Sequence, residues 1–175
     1  IRREDEADMM YWLAIRLLLS AQRDRVIADK IGLEEPSQII YYTLITRYLE
    51  MIADHAEDIA RRAIEFKTQG KERASKHAMR RIINLSELAQ NVFLRAMDCV
   101  FSRDIEIANN VLEITKVIRN EQERLMVELP ESPILRTVVM DLTGIADNGA
   151  GIAVIAINRA LEKASKMCSV GGSEA

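Results

Sequence analysis

The chain has 175 residues, room for one ordinary domain or two very small ones. Hydrophobic residues make up 49% and aromatics only 5%, with 7 Gly and 3 Pro, which supports a buried core built from helices rather than sheets. A formal net charge of -3 argues against nucleic-acid binding by bulk electrostatics.

Helix breakers partition the chain. GLEEPS (32–37), TQGK (68–71), SRD (102–104) and PESP (130–133) separate helical stretches at about 2–31, 37–67, 71–101, 104–128 and 133–166. Most are near thirty residues, so ~45 Å long if unbroken. A bend or break is expected in the first around Ser20 to Asp24, and Ser102 is the expected N-cap of the fourth. Short connections imply antiparallel neighbours. From residue 167 the sequence CSVGGSEA and its lead-in read as a flexible tail. The chain opens on Ile1, which suggests a piece of something longer. No apolar run approaches the ~18 residues of a membrane span, since Asp141, Asp147 and Asn148 interrupt the longest candidate. Cys99 and Cys168 lie too far apart for a metal-ligand motif and read as unpaired thiols in a reducing cytoplasm.

Two stretches are alike. With their IAD triplets aligned, RYLEMIADHAEDIARRAIEF sits over MDLTGIADNGAGIAVIAINR, so that Asp54 meets Asp147, Ile59 meets Ile152 and Ala63 meets Ala156. A period of about ninety residues is too long for a solenoid unit and suits a repeated helical bundle. The expected organisation is one helical domain over 1–166, with a partial first repeat (1–69) lacking its leading helix and a second repeat (70–166).

The first member of the pair carries acids at helical steps. At ~100° per residue, Glu50, Asp54, Glu57 and Asp58 share a face with Arg47 and Arg61, opposite Tyr41, Ile45, Tyr48, Ile52, Ile59, Ala63 and Phe66. Two readings of that stripe stand at this point. It is a solvated helix face with its own arginine counter-charges, or it is a site where carboxylates one turn apart reach an oxygen-preferring cation such as Mg²⁺, Ca²⁺, Mn²⁺ or iron. Glu4 and Asp8 have the same spacing on the preceding helix. An unbroken hairpin would bring Asp8 to Asp58 or Arg61; a break near Ser20 would bring it closer to Glu50. His55 reads as a structural residue, and His77 has no acidic company in the sequence. In the second copy Thr143, Ala150, Gly151 and Val154 replace Glu50, Glu57, Asp58 and Arg61. That small, apolar face is expected to be packed, and Asp141 needs a partner if buried.

LEMIADHAEDIA, Leu49 to Ala60, resembles the signature helix of the PhoU family of phosphate-uptake regulators, whose hallmark is E(D)-x-x-x-D. REDEADMMYWL (Arg3 to Leu13) and GLEEPSQ (Gly32 to Gln38) resemble that family's preceding helix and turn. The resemblance implies an all-α fold of tandem antiparallel three-helix bundles. It implies a cytoplasmic, sometimes membrane-peripheral, non-catalytic regulator of phosphate uptake and homeostasis, a homodimer whose partners are phosphate-transporter components or regulatory proteins. It also implies a bound divalent metal or iron, a role that passes to Glu50 and Asp54, then to Glu4 and Asp8, and last to Asp147; Thr143 departs from the pattern. The alternative is a sensor or dimerisation domain of a transcription regulator whose DNA-binding domain lies upstream. A carboxylate-bridged di-metal enzyme fits less well, because the chain has no Glu-x-x-His.

Overall fold

The computed structural model describes the backbone of residues 2–69, 74–129 and 132–170, and the side chains of 5–68, 74–129 and 132–162. Within these the fold is all-α: α1 Arg2–Arg23, α2 Arg25–Lys30, α3 Ser37–Gln69, α4 Lys76–Ser102, α5 Ile105–Glu128 and α6 Pro133–Val170.

The expected break in the first stretch falls at Asp24. Its backbone is extended (φ -132°) and its carboxylate accepts the Val26 N–H at 2.8 Å, capping the short α2. The chain leaves α2 through Gly32, at φ 74°, where a glycine carries no side-chain penalty. Leu33 then folds back, its N–H reaching the Ala28 carbonyl at 2.9 Å. Leu18, Ala21, Ala28 and Leu33 form a small core of their own inside this corner.

α4 and α5 meet at a tight turn. Arg103 ends α4 in the left-handed region, and its N–H bonds the Cys99 carbonyl at 2.9 Å. The N-cap of α5 is Asp104, not Ser102: the Asp104 carboxylate accepts from Glu106 and Ile107. Ser102 is instead the last residue of α4, and its hydroxyl accepts the Asp104 N–H. Arg81 ties the two helices together by pairing with Glu121 at 2.6 Å and with Glu128.

α6 is the hub. It packs on α3, α4 and α5, while α1 packs on α3 and α2. A helix with neighbours on three sides must be apolar almost all round, and Val139, Leu142, Ala146, Ile152, Ala153, Ile155 and Ala156 are all buried. This also revises the membrane expectation. Pro133–Glu162 is long and apolar enough to cross a bilayer, yet 61% of its apolar 18-residue stretch is buried inside the fold. Packing therefore accounts for its hydropathy. The helix also runs on to Val170, past the expected end at 166; residues 171–175 lie outside the described ones. Cys99 is buried and free, and the Cys168 side chain is outside the described residues.

The small face of α6 is packed against α3, as its composition implies. A Cβ on Gly144 would come within 2.3 Å of the His55 ring, and one on Gly151 within 2.5 Å of Tyr48. Val154, by contrast, is 44% exposed. On α3, Ile45 and Ile52 are buried and Tyr41, Tyr48, Ile59 and Phe66 pack on the core, but Ala63 is exposed. Among the described residues α1 has one long neighbour, α3, and Met9, Met10, Trp12, Leu13 and Leu17 remain exposed.

Candidate functional site

Opposite faces of α3 do different work. Tyr48 and His55 turn toward α6, while Glu50 and Asp54 turn toward α1. The break at Asp24 settles the register between α1 and α3. It places Asp8 with Glu50 and Asp54, so that one carboxylate oxygen from each lies within 4.8 Å of the other two. Asp58, one turn further, is exposed and outside the group. Glu4 shares α1 with Asp8, but its side chain lies outside the described residues.

The three acids repel one another. Glu50 is held above its ordinary pKa by partial burial, then by the Asp54 charge and more weakly by Asp8. Asp54 is raised by partial burial and then by Asp8. Arg47 works in the other direction, its Nη1 donating to Glu50 Oε2 at 2.5 Å. The solvated-face reading therefore has real support, since Arg47 and the Arg61–Glu57 pair at 2.6 Å are internal counter-charges. Arg47, however, bonds Glu50 alone among the three.

The donor set suits a hard cation. It is all carboxylate oxygen, drawn from two rigid helices, and contains no thiolate or imidazole. Three side chains leave most positions of a six- to eight-coordinate ion to water or other oxygens.

The remaining sequence candidates go elsewhere. Asp147 accepts from Arg119 Nε at 2.8 Å and is not part of the acidic group. Thr143 is buried, its hydroxyl donating back to the Val139 carbonyl at 2.9 Å. His55 is structural: its Nδ1 lies 3.1 Å from Asp141 Oδ1, joining α3 to α6. Asp141 is the buried acid that needed a partner; burial raises its pKa and His55 opposes the rise. Its Oδ2 has no hydrogen bond among the described residues. His77 does have acidic company, with Nδ1 at 3.3 Å from Glu128 on α5, a contact between helices that sequence spacing does not reveal.

Residues 1–63 match the family model of the PhoU domain, the family that the signature helix resembles. The matched stretch contains Asp8, Glu50 and Asp54 and ends within α3. No curated protein and no solved structure matches the chain.

Proposed function

We propose that this chain, with its PhoU domain match over residues 1–63, is a cytoplasmic, non-catalytic regulator of phosphate uptake. It relays phosphate status through protein contacts to transporter components or their regulators, and it holds a divalent or ferric ion at Asp8, Glu50 and Asp54. The observation that carries the metal reading is the convergence of these three carboxylates from α1 and α3 within the matched stretch. A cation there supplies positive charge where the fold has gathered negative charge, which offsets repulsion and ties α1 to α3. The contact reading is supported by α1 itself. Its exposed Met9, Trp12 and Leu13 adjoin Asp8, and apolar side chains grouped on one helix face suit a protein partner, including a second copy of the chain.

Metal content tests the site. The chain is purified without chelator or metal-affinity resin, and iron, zinc, manganese and magnesium are quantified per subunit beside Glu50→Ala/Asp54→Ala. Retained metal in the parent and none in a variant of equal helicity is the expected result. Equal metal in both, or none in either after the ions are added back, rejects it. The regulatory role is tested separately by removing the chain from its host. Phosphate uptake should then stay high in phosphate-rich medium, and uptake restrained as before rejects the role.

A further inference from the structure

An open cleft of about 500 Å³ lies where α3 begins, where α4 ends and beside the C-terminal part of α6. It is well separated from the acidic group: from Ser37 at its edge to Glu50 the helix rises roughly 20 Å. Two arginines line it, and neither has an acid partner among the described residues.

Arg159, on α6, is only 7% exposed. Its partners are neutral. Nη2 donates to the Tyr42 hydroxyl at 3.2 Å, Nη1 reaches the Val100 carbonyl at a long 3.5 Å, and the guanidinium sits 5.0 Å from the centre of the Tyr42 ring. Buried arginines are ordinarily paired with a carboxylate, because a buried charge without one is costly. Among the described residues, no carboxylate forms an ion pair with Arg159. Arg103, the second cation, makes no side-chain hydrogen bond or ion pair among them either. It occupies φ 58°, ψ 29°, a helix-ending position that glycine fills without strain and arginine does not. The chain thus keeps an arginine at a place where its backbone is disfavoured, and that arginine faces the same cleft.

We propose that this cleft binds a small ligand bearing a single oxyanion group, phosphoryl or carboxylate, seated on Arg159 and Arg103. A guanidinium offers several N–H donors in a fork that matches either group. Glu34, Glu35 and Glu162 also line the cleft and set the rest of the ligand's chemistry. Glu162 already accepts from the Tyr41 hydroxyl and Glu35 from Ser37, and the three negative charges repel polyanions, so the ligand is a lightly charged one. Phe101, 80% exposed, gives the rim an apolar wall.

The test is thermal melting of the chain with inorganic phosphate, with lactate, and with chloride at matched ionic strength. A saturable rise in Tm with phosphate or lactate, absent with chloride, is expected; which of the two acts identifies the group as phosphoryl or carboxylate. Arg103→Gly should melt no lower than the parent without ligand, since it relieves the left-handed strain, and should lose the rise. Arg159→Met should lose it too, with helicity checked by circular dichroism. The proposal is overturned if neither anion gives a saturable rise at millimolar concentration, or if the rise survives in Arg103→Gly. In either case Arg159 serves only to stack on Tyr42 and to cap the end of α4.

Discussion

Where the IAD triplets align, α3 and α6 meet opposite surroundings. On α3, Glu50 and Asp54 face a gap toward α1 and gather a third acid, Asp8. On α6, Thr143 is buried, Gly144 and Gly151 lie against the rings of His55 and Tyr48, and Asp147 is taken by Arg119. The same register of positions therefore yields a candidate cation site in one helix and a packing face in the other. What decides between them is the neighbour. α6 sits at the hub, where the face carrying Thr143, Ala146 and Ala150 is covered and a cluster of acids would have to be desolvated. α3 has α6 on one side and only α1 on the other, so an acidic face survives there.

The largest effect should come from forcing the acidic pattern onto the covered face. Thr143→Glu places a carboxylate at a position that is 4% exposed, with no cation provided for it. A loss of about 3 kcal/mol is expected in urea unfolding, and metal content should not rise. A stable variant with additional metal would show that the α6 face retains a latent site and would erase the contrast. Next in size is the link between the two helices. His55→Ala leaves Asp141 buried without its side-chain partner, and about 2 kcal/mol should be lost. A double-mutant cycle with Asp141→Ala isolates the pair, and a coupling near zero would remove His55 from the account of α3–α6 packing. Gly151→Ala drives a Cβ toward Tyr48 while gaining helix propensity. A net loss of about 1 kcal/mol is expected, and a gain would mean that the Tyr48 ring swings aside freely.

Much of this contrast was legible in the sequence. Acids at 50, 54 and 58 opposite Ile45 and Ile52 gave the two faces of α3, and Thr143 with Ala150 and Gly151 marked its α6 counterpart as a packed one, though Val154 of that set is exposed. Periodicity works here because one helix reports its own faces directly. The join of Asp8 to Glu50 was legible only conditionally, since it depends on whether the first helix breaks, and a single capping residue, Asp24, decides that. Contacts between distant segments were not legible. His55 with Asp141, His77 with Glu128, and the meeting of Arg103 and Arg159 in one cleft depend on helix register across the bundle. Even the N-cap of α5 moved from Ser102 to Asp104, because the left-handed turn at Arg103 carries α4 through Ser102.

The smallest effect is the one that best separates a wet surface from a cation site. Glu50 and Asp54 both have raised pKa values in the folded chain. A carboxyl raised by folding binds its proton more tightly in the native state, so its favourable contribution is present below the unfolded value and is lost as pH rises through the folded one. Metal-free protein should thus lose stability as pH climbs from the ordinary carboxylate range through these raised values, and then level off. Asp141, also raised, adds a slope of the same sign. Glu50→Gln/Asp54→Asn should remove their share of that downward slope and should be more stable than the parent at neutral pH by less than about 1 kcal/mol, since both side chains are partly solvated. Added cation should stabilise the parent at neutral pH and leave the variant unchanged, because only ionised carboxylates gain from it. If the variant is instead the less stable of the two without metal, the Arg47–Glu50 pair outweighs the repulsion among the acids, and the face is held together by its own arginine.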